Sequence, residues 1–266
     1  MKRDGHIHTP FCPHGTKDST ELYIEKAIKS GFTDISFTEH APLPVNFSDP
    51  TPNKDSGMNM SQLSLYIEEI SHLKNVYQKD IHIRLGLEVD FIAGFEKETR
   101  SFLDEFGPDL DDAILSVHFL QVNNRYFCCD FSQDVFAVLS AASGSIEATY
   151  ELYYNTVDAS IQSDLGQFKP KRIGHPTLIH KFQLAHNETI NDDSQIRHIL
   201  QLMKKTGCEL DVNGAGFSKT DCQESYPPLN YIEYAKSLGI PLVFGSDAHN
   251  VNGLHKHYEK FYTYLS

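Results

Sequence analysis

Short runs of β-branched and aromatic residues alternate along this chain with longer stretches whose apolar positions recur every three to four residues. The first kind of run predicts strands and the second amphipathic helices. Strand-like runs fall at His6–His8, Asp34–Thr38, His82–Val89, Ala113–His118, Arg172–His175, Glu209–Val212 and Leu242–Gly245. Helical spacing runs through Thr20–Ser30 (Leu22, Ile24, Ala27, Ile28) and Ser61–Gln78 (Leu63, Tyr66, Ile67, Ile70, Leu73, Val76). Ser194–Lys205 and Leu229–Leu238 read the same way, and Gly31, Gly207 and Gly239 are placed where helices stop. Such alternation predicts βαβ units and a parallel sheet. With this many strands, an α/β barrel is expected rather than an open dinucleotide-binding sheet. Neither GxGxxG nor GxxxxGK[ST] follows any strand. Ala41–Met60, with Pro42, Pro44, Pro50, Pro52 and Gly57, reads as a long loop. The segment at about 123–165 reads as an insertion or a helical pair over one barrel face.

Composition narrows the function. The chain has 266 residues, enough to bury a core in a single domain. Hydrophobic residues at 40% and charged residues at 22% exclude a disordered or fibrous protein. Lys plus Arg is 23 against 36 Asp plus Glu, a formal charge of −13, so a nucleic-acid partner is not expected. No stretch approaches the roughly 20 apolar residues that cross a bilayer, so no membrane association is expected. Cys12, Cys128, Cys129, Cys208 and Cys222 form no CxxC pair, and they are read as free thiols of a cytoplasmic protein. No signal peptide is visible at the start.

The unusual count is 14 His. His6 and His8 are two apart in a strand, so both rings face one side. Asp247 and His249 repeat that spacing after the last strand run. Glu39-His40, Glu88, His118 and His175 each lie at the end of another. In an α/β barrel those C-terminal ends converge on the face that carries active sites. Nitrogen and carboxylate ligands without thiolate suit Zn, Mn or Fe. The candidates outnumber the four ligands of one tetrahedral ion, which implies two or three divalent ions sharing a carboxylate. A lone His is more often a hydrogen-bonded polar residue, and His72, His82, His180, His186, His198, His255 and His257 are read so.

Taken in order, His6-Ile-His8, His14, Glu39-His40, Gly86-Leu87-Glu88, Ser116-Val117-His118, Gly174-His175-Pro176 and Gly245-Ser246-Asp247-Ala248-His249 resemble the PHP (polymerase and histidinol phosphatase) family. The likeness is strongest to its stand-alone histidinol-phosphate phosphatases, also through Arg172-Ile-Gly-His175-Pro, Lys181-Phe182 and Asp211-Val-Asn213-Gly-Ala-Gly216-Phe. The resemblance implies a distorted (β/α)7 barrel with a three-metal cluster. It places His6, His8, Glu88 and Asp247 on one ion, and Glu88, His118 and His175 on a second. It places His14, His40 and His249 on the third. Many relatives have Arg where this chain has Ser218, followed here by Lys219.

The activity so implied is hydrolysis of L-histidinol phosphate to L-histidinol and phosphate, a step of histidine biosynthesis. Glu88, Asp247 and His249 are the expected catalytic residues, and Arg172 and Lys219 the expected substrate contacts. For Arg172 the expectation requires the strand end to twist, because residue 172 and residue 175 face opposite ways on a regular strand. Two other readings stay open: a phosphoesterase of the same family acting on another small phosphate ester or nucleotide, and a non-catalytic metal-binding module.

Overall fold

A computed structural model describes residues 2–186 and 188–265. Strand β1 (Arg3–Ile7) leads through α1 (Thr20–Lys29) to β2 (Asp34–His40), and α2 (Met60–Val76) leads to β3 (His82–Asp90). Helix α3 (Glu96–Phe106) precedes β4 (Asp112–Ser116). A hairpin of β5 (Phe119–Val122) and β6 (Arg125–Cys128) follows, then α4 (Gln133–Ser143), α5 (Ile146–Gln162) and β7 (Arg172–Ile173). The chain ends with α6 (Asp193–Thr206), β8 (Glu209–Asn213), α7 (Leu229–Ser237), β9 (Leu242–Gly245) and α8 (Tyr262–Leu265).

Seven strands form one parallel sheet in the order β1-β2-β3-β4-β7-β8-β9. The sheet curls until its edges meet. Asp247 N donates to His6 O at 2.8 Å and His8 N to Ala248 O at 3.1 Å, just beyond the ends of β9 and β1. The result is the distorted (β/α)7 barrel that the sequence implied. Its helices lay apolar faces on the outside of the sheet: Tyr23, Ile24 and Ala27 from α1, Leu63, Tyr66, Ile70 and Leu73 from α2, and Ile196, Ile199, Leu200 and Met203 from α6. Val76, assigned by spacing to the buried face of α2, is exposed at that helix's last turn. Gly31, Gly207 and Gly239 all adopt positive φ after a helix, as their placement predicted.

Two strands run past their apolar positions. β2 includes Glu39 and His40, and β3 continues through Glu88 to Asp90, because buried polar side chains replace aliphatic ones where the barrel opens. β7 is the reverse case. It stops after two residues, and His175 stands in the left-handed region at φ 25°. The segment read as an insertion begins earlier than residue 123. Asn123 and Asn124, both at positive φ, make the tight turn of the β5–β6 hairpin, and the two expected helices follow it as α4 and α5. All five cysteines are buried and unpaired.

The opposite mouth of the barrel is closed by charge. Arg3 and Arg172 both reach Asp112 Oδ2 at 2.7 Å, and Arg84 pairs with Asp34 at 2.8 Å. These residues open their strands or lie near the openings, so this network is at the N-terminal end, remote from the strand ends that carry the histidines.

Candidate metal centre

Glu88 is the centre of the site. It is 1% exposed, on β3, and its two oxygens face different groups. Oε1 lies 2.9 Å from His175 Nε2 and 3.8 Å from His118 Nε2, and accepts from Ser116 Oγ at 2.6 Å. Oε2 lies 3.3 Å from His6 Nε2, 3.5 Å from His8 Nε2 and 3.2 Å from His40 Nδ1, without a hydrogen bond of its own. Asp247 Oδ1 is on the same side, 3.2 Å from His8 Nε2 and 3.8 Å from His6 Nε2. Ligand atoms therefore converge in three groups among the described residues: His6, His8 and Asp247; Glu88, His118 and His175; and His8, His40 and His249 with Cys12. The third expected set, His14, His40 and His249, overlaps the last of these. His249 stacks on His8 at 3.9 Å, and the exposed His14 is 4.9 Å from His249 and 5.0 Å from His40, ring to ring.

Behind the rings is a layer that the sequence reading did not assign. Asp211 Oδ2 lies 2.9 Å from His6 Nδ1, Glu39 Oε1 3.1 Å from His8 Nδ1 and Asp90 Oδ1 2.7 Å from His118 Nδ1. Each carboxylate takes one ring nitrogen, which turns the other toward Glu88 or Asp247. This is the carboxylate–histidine pairing that orients metal ligands. His14 and His249 use backbone instead, with Nδ1 at Asp55 O (2.8 Å) and Asp247 O (3.0 Å). A cue was present, since Asp90 shares a strand face with Glu88. Cys12 was also missed: its buried sulfur converges with ligand atoms of His8, His40 and His249. Burial, then the Glu39 charge, pushes its thiol far up.

The electrostatics follow from packing opposite charges out of water. Burial alone would lower the His6 and His8 imidazoles. Glu88, Asp211 and Asp247 hold His6 well above its ordinary value, and the Asp247 and Glu39 carboxylates hold His8 at about 9. His118 is raised to about 10, against burial, by Asp90. His40 and His249 go the other way, His249 to about 3, because burial and the neighbouring His8 cation disfavour a second charge. Burial would raise Glu88 and Asp247, yet the facing imidazoles hold both carboxyls well below the usual range. Two of the ligand candidates carry unusual backbone: His175 and Asp247, at φ 25° and 54°, are non-glycine residues in the left-handed region.

The cluster floors a cleft of about 510 Å³. The long loop contributes Thr51, Asp55 and Ser56 to its wall, the hairpin Phe119 and Cys128, the turn after it Asp130, and later segments Lys181, Lys219 and Lys256. The expectation for Arg172 is corrected here. Its side chain is fully buried, bonded through Nη2 to Asp112 Oδ2 and to Gly5 O at 2.8 Å, and it does not line the cleft. β7 ends before His175, so the backbone turn re-aims His175 alone and leaves Arg172 in the lower barrel.

Donors of these types, with His6 Nε2, His8 Nε2 and Glu88 Oε2 buried and lacking hydrogen bonds, suit divalent cations. The chain is similar to known proteins along nearly its full length. Histidinol-phosphatase of Bacillus subtilis (strain 168) is 50% identical over 265 residues, covering 98% of both chains. A crystal structure of a candidate histidinol phosphatase from Listeria monocytogenes superposes with a TM-score of 0.93 at 40% identity, covering 98% of this chain and 100% of that one. Histidinol phosphate phosphatase of Lactococcus lactis, solved with zinc, L-histidinol and phosphate, shares the fold at a TM-score of 0.71 and 21% identity, over 99% and 93% of the two chains. Residues 4–215 match the PHP domain, and the chain belongs to that family.

Proposed function

We propose that this protein is a metal-dependent phosphomonoesterase that hydrolyses L-histidinol phosphate to L-histidinol and phosphate, as a cytoplasmic enzyme of histidine biosynthesis. The observation that carries the reading is Glu88. One buried carboxylate divides its oxygens between two histidine groups at the open end of a barrel. The near full-length identity to a histidinol-phosphatase supports the substrate.

His6, His8, Glu88 and Asp247 would hold one divalent ion, Glu88, His118 and His175 a second, and His14, His40 and His249 a third. Zinc, manganese or iron fits these donors. Such ions supply Lewis acidity toward the phosphoryl oxygens and lower the pKa of bound water. The chain's own residues prepare the site. Asp211, Glu39 and Asp90 fix three imidazoles. Asp247, 18% exposed, and His249 border both the cluster and the cleft, which supports reading them as catalytic residues. Lys219 closes the turn after β8 and presents an exposed ammonium to the cleft.

The test is phosphate release from L-histidinol phosphate by purified protein whose metal content has been measured. Turnover that is lost on chelation and returns with zinc or manganese is expected. Full turnover in protein stripped of metal would overturn the reading.

A further inference from the structure

One wall of the cleft carries a charge pair that the metal geometry does not use. The hairpin ends at Cys128, and Cys129 N donates to His118 O at 2.9 Å, tying this segment to a ligand candidate. Asp130 comes next. From the other side, the helical turn Leu178–Phe182 starts three residues after His175 and brings in Lys181. Lys181 Nζ lies 2.8 Å from Asp130 Oδ2, and Cys128 Sγ contacts the other oxygen at 3.3 Å. The pair thus joins the segments that carry His118 and His175, the two imidazoles at Glu88 Oε1.

An ammonium has three donors and no acceptor. Asp130 takes one, and no other hydrogen-bond acceptor is found for Lys181 among the described residues. The side chain is 21% exposed and lines the cleft, so its remaining donors are available there. Burial would lower this lysine, but Asp130 raises it above its ordinary value, which keeps it charged. Lys219 and Lys256 line the same cleft but are exposed, and each would have to be ordered on binding. Lys181 is already held.

We propose that Lys181, positioned by Asp130, is the protein cation that binds the substrate's phosphate beside the Glu88–His118–His175 group. The proposal rests on the phosphomonoesterase reading but not on the identity of the alcohol. It gives the site the fixed cation that Arg172, buried against Asp112, does not provide.

The experiment measures hydrolysis of p-nitrophenyl phosphate by metal-loaded protein, with inorganic phosphate and L-histidinol as separate inhibitors. Lys181→Gln should raise the phosphate Ki and the ester KM about ten- to a hundredfold, the scale of a lost charge-assisted bond. Metal content and the L-histidinol Ki should stay within about twofold, and Lys181→Arg should recover part of the phosphate affinity. Asp130→Asn, which leaves the ammonium but loosens it, should raise the phosphate Ki about three- to tenfold. An unchanged phosphate Ki in Lys181→Gln overturns the proposal, and so do equal rises in both inhibition constants, which mark a structural tie. If Lys181→Gln does not fold, an unchanged phosphate Ki in Asp130→Asn overturns it instead. Parent protein that hydrolyses p-nitrophenyl phosphate but not L-histidinol phosphate would refute the substrate assignment while leaving Lys181 to be judged by its phosphate Ki.

Discussion

Replacing Arg172 by Met should damage the fold and spare phosphate binding. Methionine keeps the aliphatic volume but removes two donations from Nη2, to Gly5 O and to Asp112 Oδ2. Removing one partner of a buried ion pair typically costs about 3–5 kcal/mol. Asp112 retains Arg3 at 2.7 Å and Ser36 Oγ at 2.6 Å, so the loss should be reduced to about 2–4 kcal/mol. With an unfolding entropy near 2.1 cal/mol/K per residue, that lowers the unfolding temperature by about 4–7 °C. The Asp112 carboxyl, which burial would raise, is held low chiefly by Arg172. A depressed carboxyl contributes stability above its unfolded pKa and loses it as pH falls through the folded one. The gap between parent and variant should therefore close below about pH 4. Thermal and urea unfolding read the stability, and the phosphate Ki per bound metal reads the site. An unchanged unfolding temperature together with a tenfold rise in that Ki would refute the reasoning and return Arg172 to the substrate.

Glu88→Gln should lower metal content by more than one ion per chain, because both oxygens serve ligand groups, and should abolish hydrolysis; elemental analysis of the folded variant reads this directly. Asp211→Asn should weaken metal binding about ten- to a hundredfold by releasing the His6 ring, measured by competition with a chelator. Gly245→Ala should act similarly from the backbone, since its Cβ would stand 2.4 Å from Asp211 Oδ1 and 2.7 Å from His6 Cβ; normal metal affinity there would show that β9 can yield. His180, buried between Asp192 and Glu224, is raised to about 9 against burial by its bonds to both. Its contribution is complete below about pH 6.5 and lost as pH rises through about 9, so urea midpoints of the parent should fall over that window while those of His180→Gln stay flatter.

The barrel was legible because its two periodicities differ. Leu63, Tyr66, Ile70 and Leu73 could face one side only on a helix, and the strand runs between such windows left few topologies. The ligand candidates other than His14 were legible because they lie where strands leave the core, whereas His14 was named only through the family resemblance. Helix α3 was not named in advance. Six of its eleven residues are charged, and among its residues only Thr99 and Leu103 are buried.

What escaped the sequence was direction in space rather than residue type. Alternation along a strand put His6 and His8 on one face and Arg172 and His175 on opposite ones, and the expectation for Arg172 failed because it needed a twist that would bring Arg172 to the cleft. β7 has two residues, and the left-handed turn at His175 separates neighbours by a barrel layer. The same limit hid the roles of Asp211 and Glu39, whose partners His6 and His8 lie 205 and 31 residues away in the chain. Either carboxylate could equally have capped a helix or met a surface lysine; only closure of the sheet between β1 and β9 brings Asp211 behind His6. Lys181 and Asp130 are a stronger case, being ordinary loop residues until the hairpin and the turn after β7 fold over the same rim. Chemistry set on strand ends can thus be read from spacing, because the fold itself fixes where strand ends go. Chemistry set on loops depends on how two loops meet, and no periodicity along one chain segment encodes that.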